Sequence, residues 1–327
     1  MGGNAFENLR RLPADEYRQL EAELVKKLGT LYPVLAPLPY YHRKPDFGDM
    51  DVIVQKPKAE RRVFEAFLSS IGSERVVYNS DNVSFVWQDF QIDLIHVAPE
   101  HFQTALFYFA YNDLNNLVGR IAHKLGLKFG WDGLIYQIRT ESGHRAEEIV
   151  LSRDPAEIYA FLGYDYHRWQ QGFDTLEDIF AYVVSSPWFN AEIYDDENLN
   201  HINRTRNRKR KTYATFLDWL KQREGLPAYA FDKDKSLYLI RTHNAFPKAD
   251  LFGQLADYAR RQKQYEARAA KFNGRLVQAW TGAEGKELGK WIQAFKNNQA
   301  DFDQYLDQRV AEQVAADFRS FFQASGS

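Results

Sequence analysis

Residues 48–54 read Gly-Asp-Met-Asp-Val-Ile-Val, and a second apolar run at residues 92–95, Ile-Asp-Leu-Ile, again carries one carboxylate in its middle. In an extended strand side chains alternate between faces, so Asp49 and Asp51 project to one side while Met50, Val52 and Val54 fill the other. If the Asp93 strand pairs beside this one, three negative groups converge. Like charges at such range raise one another's pKa unless a cation lies between them. A divalent ion is the natural partner, and Mg2+ takes one or two carboxylates together with substrate phosphates and water. Gly48 removes a side chain where a phosphate would approach the backbone.

The 327 residues are enough for two or three domains, each with a core of its own. Forty-two basic against 44 acidic residues give a net charge of -2, so nucleic-acid affinity must come from local clusters. The chain has no cysteine, which excludes disulfides, thiolate catalysis and sulfur-ligated zinc or iron-sulfur sites. Its longest apolar runs, such as Ala105 to Tyr111, fall far short of a membrane span, and no signal-peptide pattern opens it. These features predict no membrane partner and a reducing, cytoplasmic location.

The elements that would hold the acids follow from periodicity and punctuation. Apolar positions at helical spacing predict a helix over 14–28, with Pro13 before it and Gly29 past its end. A Pro-rich approach (Pro33, Pro37, Pro39), the Gly48 to Val54 strand, a helix over 59–71 and strands near 75–79, 83–88 and 90–97 follow. Residues 100–126 read as helical and 127–140 as a hairpin turning at Trp131-Asp132-Gly133. Beyond residue 154 helices are expected near 154–163, 175–186, 205–223, 248–272, 285–298 and 300–323, with a short strand at 236–241. The expected fold class is α+β, a small mixed sheet followed by a largely helical C-terminal region.

The string Gly48 to Val54 followed by Gln55-Lys56-Pro57 resembles the metal-binding strand of the DNA polymerase beta superfamily of nucleotidyltransferases, in particular its family X polymerases. In that family the third aspartate is followed at fixed offsets by Tyr-Phe, Asp, Asn and Arg; here Asp93 is followed at those offsets by Tyr108-Phe109, Asp113, Asn116 and Arg120. The resemblance covers residues 33–165. It implies a nucleotidyltransferase palm (33–98) and a nucleotide-selecting subdomain (99–165), while the periodicity adds an N-terminal helix (1–32) and the basic run a helical nucleic-acid-binding region (166–327). By the same resemblance Asp49 and Asp51 would bind two Mg2+ ions, with Mn2+ as a substitute, and the triphosphate. Asp93 would bind the catalytic ion and help deprotonate the 3' hydroxyl. Tyr108 and Phe109 would face the sugar, Asp113 would lie against the base, and Asn116 and Arg120 would reach base edges or a template. Phe107, Phe109, Leu114, Leu117 and Ile121 also satisfy the spacing of a helix core.

Two positions depart from the family. Where it has a Gly-Ser pair ahead of the metal strand this chain has Leu38 and Pro39, and proline has no N–H to give a phosphate. His42, Arg43 and Lys44 are the candidates to replace the lost contacts with charge. Tyr111 stands where the family has glycine in the turn after Tyr-Phe. About 35 residues precede the palm, short of the helix-hairpin-helix and lyase modules of gap-filling polymerases, so a DNA repair role loses support.

Residues 204–211 place six cations in eight positions: Arg204, Arg206, Arg208, Lys209, Arg210 and Lys211. Tyr213, Phe216 and Trp219 follow at helical spacing, so the run would open a docked helix whose cations face a phosphate backbone without reading sequence. Residues 272–296, with Gly274, Gly282, Gly285 and Gly289, are loosely similar to the C-terminal region of the tRNA nucleotidyltransferases that add CCA. The leading expectation is a monomeric Mg2+-dependent nucleotidyltransferase that uses nucleoside triphosphates to extend the 3' end of a nucleic acid, RNA such as tRNA favoured over DNA, by a two-metal mechanism. A template-directed family X-like DNA polymerase, an inactive RNA-binding member and an enzyme acting on a small molecule or protein are the alternatives.

Overall fold

Strand alternation organises the centre of the molecule around the acidic strand. The computed structural model describes residues 5–140, 143–195 and 210–325, which divide after Leu251 into two compact units. In the first unit a two-residue ladder joins β1 (Leu12–Pro13) to β3 (Asp46–Phe47). The main sheet contains β2 (Leu35–Pro37), β4 (Asp49–Gln55), β5 (Val76–Asn79), β6 (Asn82–Trp87) and β7 (Phe90–Val97), in the order β2-β4-β7-β6-β5. Only β4 and β7 run parallel; the other pairs are antiparallel, so the sheet is mixed and the fold α+β.

One face of this sheet is an apolar floor. Met50, Val52 and Val54 of β4 and Ile92 and Leu94 of β7 are buried against α1 (Ala14–Leu28) and α2 (Arg61–Ser70). Helix α1 supplies Tyr17, Leu20, Leu24 and Leu28, one stripe at helical spacing, and its acids at the first turn and lysines at the last complement the helix dipole. On the opposite face Ile53, Ile95 and Val97 pack against α3 (Phe102–Phe109) through Phe102, Ala105 and Phe109. That cover lies over the C-terminal half of the two strands.

The predicted helix over 100–126 is interrupted. Tyr111 and Asn112 both take left-handed backbone (φ 55° and 59°) and separate α3 from α4 (Leu114–Lys124). The hairpin forms as β8 (Leu127–Gly130) and β9 (Gly133–Arg139), and a third strand, β10 (Arg145–Ser152), joins it. The first four residues of β10 are exposed and show no alternation, so sequence gave no strand there. Next come α5 (Pro155–Phe161), α6 (Tyr166–Gln170) and α7 (Leu176–Val184), the last opened by a Thr175/Asp178 capping box. The helix Lys211–Leu220 docks by Tyr213 and Phe216; residues 205–209 of the expected 205–223 helix lie outside the described residues. Residues 237–245 form a helix where a strand over 236–241 was expected. A short apolar run does not distinguish the two, and buried Tyr238 and Thr242, four apart, reveal the helical period.

In the second unit, Phe272, Val277, Phe295, Tyr305, Leu306, Val314 and Phe318 form an aromatic-rich core of their own. The helix expected over 300–323 is two, Phe302–Asp307 and Ala311–Ser325. Gly285 opens the helix Gly285–Asn297 with φ 56°, and Gly282 closes the one before it with φ 71°.

Because Leu24 is fully buried beneath the acid-bearing sheet, Leu24→Ala should cost about 2–5 kcal/mol of stability. Lys26→Ala, on the exposed side of the same helix, should change it by no more than about 0.5 kcal/mol, both read by urea unfolding.

Candidate metal centre

The parallel register of β4 and β7 places Asp51 directly beside Asp93 and Asp49 beside Gln91. All four side chains belong to the face whose lower part is closed by α3, at the end of the strands that this helix leaves uncovered. One carboxylate oxygen from each of Asp49, Asp51 and Asp93 lies within 4.8 Å of the others. Asp93 is buried, while Asp49 and Asp51 are half-buried. Three carboxylate oxygens on two adjacent strands are a donor set for a hard divalent cation.

The electrostatics agree with that chemistry. Burial, reinforced by the charges of Asp49 and Asp93, pushes Asp51 up to about 7. Burial also raises Asp93, opposed by hydrogen bonds from Ser84 and Gln91. The Gln91 amide donates to both Asp93 oxygens, at 3.0 and 2.8 Å, and so fixes the carboxylate's orientation. Gln91 is fully buried and was absent from the sequence-based set. Its signal was only its place two residues before Asp93 in an otherwise apolar strand.

The basic turn divides in two. Lys44 is coupled electrostatically to Asp49 and Asp51; burial lowers its pKa and those acids oppose the shift. Its ammonium lies 4.3 Å from the centre of the Phe47 ring and 3.4 Å from the Asn112 side-chain oxygen. His42 and Arg43 instead serve the segment after α6. His42 Nδ1 contacts Asp174 at 2.8 Å, and the backbone amides of His42 and Arg43 donate to Phe173 and Asp174. Gly48 also differs from expectation, because the space a β-carbon would need is taken by the Arg11 guanidinium, 2.7 Å away. Arg11 is held there by Asp46 and brings to the acidic end a cation that the sequence reading missed.

The downstream positions separate as well. Phe109 is half-buried against the α3 cluster on the face that carries the acids, and Tyr108 makes edge contacts with Phe109 and Phe129. Asp113 pairs with Arg210 at 2.7 Å. Arg120 is buried and donates from Nε and Nη2 to the Ile193 carbonyl, so its fork is committed to the protein's own backbone rather than to a base edge. The Asn116 amide nitrogen is buried without a hydrogen-bond partner among the described residues. Of the basic run, Arg210 forms the internal pair with Asp113 and Lys211 is exposed at its helix start; Arg204, Arg206, Arg208 and Lys209 lie outside the described residues. Leu38 packs with the α3 cluster on the face that carries the acids, and its amide donates to the Asp51 carbonyl, so this stretch is strand-like rather than an open phosphate loop.

Comparison with solved structures gives a likeness to the crystal structure of Leishmania infantum polymerase beta in a ternary gap complex, with a TM-score of 0.34 and 18% identity over 41% of this chain. The match spans about half of that polymerase, 53% of its length. No protein-family profile and no curated protein sequence matches the chain.

Without a cation the native state holds a proton on Asp51 that the unfolded chain releases near pH 4, so this group destabilises the fold progressively as pH rises from about 4 to about 7. A divalent ion competes with that proton. Saturating Mg2+ or Mn2+ should therefore raise the melting temperature more at about pH 8 than at about pH 6. Asp51→Asn should remove the increment and raise metal-free stability at the higher pH. An equal increment in the variant would refute the assignment.

Proposed function

We propose that this chain is a divalent-metal-dependent nucleotidyltransferase of the polymerase beta type, acting as a cytoplasmic monomer that extends the 3' end of a nucleic acid, with RNA such as tRNA preferred to DNA. The observation that carries the reading is the convergence of Asp49, Asp51 and Asp93 on adjacent parallel strands, with Lys44 coupled to two of them. The 3' hydroxyl oxygen attacks the α-phosphorus of a nucleoside triphosphate, a new ester bond forms, the bond to the bridging oxygen breaks and pyrophosphate leaves.

Asp49, Asp51 and Asp93 would hold the cations, which supply charge neutralisation at the attacking and leaving oxygens. Asp93, kept in one orientation by Gln91, accepts the hydroxyl proton. Lys44 and Arg11 take over the triphosphate contacts that Leu38 and Pro39 cannot make. The preference for RNA rests on the loose similarity of residues 272–296 to the tRNA nucleotidyltransferases that add CCA, while the cation run through Lys211 suits the phosphate backbone of either nucleic acid.

A second reading, an inactive member that binds RNA, is favoured by one observation: the Leu38 amide is consumed by the Asp51 carbonyl and Pro39 has none to offer. Incubation with labelled nucleoside triphosphates, Mg2+ and either tRNA lacking its 3' end or a primed DNA template decides between them. The expected result is untemplated addition to the RNA, reduced at least about a hundredfold in Asp49→Ala and Asp93→Ala. Silence of wild type and variants alike on every substrate, with RNA binding retained, would overturn the enzyme reading.

A further inference from the structure

A cavity of about 370 Å3 opens where the C-terminal end of α4, strands β8 and β9, and the start of the helix Leu237–Ala245 meet. Its size lies within the roughly 300–1,000 Å3 of small-molecule sites. The wall is of two kinds. Leu125, Leu127, Leu239 and the Tyr136 ring give an apolar side, while His123, Arg139 and Lys235 give a cationic one. None of these belongs to the aspartate cluster.

No carboxylate is among the residues that line this cavity. Of the acids nearby, Asp232, Asp234 and Glu148 are engaged elsewhere, and Glu141 lies outside the described residues. Asp232 and Asp234 accept the backbone amides of Asp234 and Ser236, and Glu148 accepts from Gln137 and from Lys128 and Arg145. Among the described residues Lys235 and Arg139 hydrogen-bond only neutral partners. Lys235 Nζ donates to the His123 carbonyl at 2.9 Å, and Arg139 donates to the Gly143 carbonyl and the Gln137 side-chain oxygen. Capping the end of α4 accounts for Lys235 alone, since one ammonium satisfies one terminal carbonyl. Arg139 and the imidazole of His123 remain unexplained by it.

The field in the cavity is therefore positive. His123 is exposed to solvent along one side, and the burial of the rest of its ring, followed by the charges of Lys235, Arg120, Lys124 and Arg139, pushes it down to about 4. Lys235 is lowered by burial and by Lys124, Arg139 and Arg120, with no opposing acid. An anion with an apolar flank matches both walls.

We propose that this cavity is a second ligand site that takes the phosphate of a nucleotide between Lys235 and Arg139, its base lying against Tyr136 and the leucine wall. The phosphate could arrive on a free mononucleotide or within a single strand. Either would cancel the local excess of positive charge, and a bound phosphate dianion would raise His123 toward its ordinary value.

Equilibrium dialysis of the full chain in EDTA, which leaves the aspartate cluster without metal, tests this with labelled AMP, adenosine and a short oligoadenylate RNA ending in a hydroxyl. AMP should bind saturably and adenosine should not. Arg139→Gln and Lys235→Gln should each weaken AMP binding at least about tenfold, Arg139→Lys should retain most of it, and Lys44→Gln should leave it unchanged. NMR titration of the His123 ring should show its pKa rising when AMP is bound. Saturable binding of the RNA alone, lost in the same two variants, would assign the site to a strand phosphate. The proposal is overturned if neither probe binds saturably, if the two glutamine variants bind like wild type, or if Lys44→Gln removes the binding. Circular dichroism melts of each variant separate loss of the site from loss of the fold. Because the assay contains no divalent ion, its outcome is independent of whether the aspartate cluster transfers nucleotides.

Discussion

Three carboxylates gathered at one end of two parallel strands are an electrostatic cost that the rest of the first unit is built around. Burial disfavours the charged forms of Asp51 and Asp93, and the charge of Asp49 adds to both, to the point that Asp51 titrates near neutrality. A sheet cannot relieve this by moving the side chains apart, since strand pairing fixes Asp51 beside Asp93 in the register that also buries Val52 beside Leu94. A one-residue slip would turn the acids into the floor and the valines toward solvent. Partial relief comes from within, through the Lys44 ammonium and the Gln91 and Ser84 hydrogen bonds. The remainder is relieved by a proton on Asp51 or by a cation from outside.

The surrounding elements make sense as means of holding that cluster while leaving it open. Helices α1 and α2 stiffen the floor, and α3 closes the other face only where the strand turns apolar at Ile53 and Ile95. Two chain segments from outside the sheet bring charge to the open end. The β1 region carries Arg11 over Gly48, and the turn before β3 carries Lys44, itself braced by the backbone bonds of His42 and Arg43 to Phe173 and Asp174. The left-handed turn at Tyr111 and Asn112 links these parts, since the Tyr111 amide bonds the Pro39 carbonyl and Asn112 contacts Lys44.

The acidic strands and helix α1 were legible in the sequence because each leaves a periodic trace: period two for Met50, Val52 and Val54, and period 3.6 for Tyr17, Leu20, Leu24 and Leu28. What escaped was set by tertiary contact. Gln91 matters through the register of a partner strand, Arg11 through a long reach from the N-terminal segment, and Arg120 through a carbonyl far along the chain at Ile193. Strand β10 and the helix Leu237–Ala245 escaped for a different reason, the first being half exposed and the second too short to show its period. Spacing aligned Arg120 with a family position but could not say which way its guanidinium points.

The central claim is that the three aspartates form one centre that holds paired divalent ions when a triphosphate is bound. Electron paramagnetic resonance of Mn2+ in the presence of a non-hydrolysable nucleoside triphosphate tests it most directly. The account predicts two protein-dependent ions with the spin coupling expected of centres about 3.5–4 Å apart, and loss of that coupling in Asp51→Asn. A single uncoupled Mn2+ signal, the same in wild type and in the variant, would contradict it.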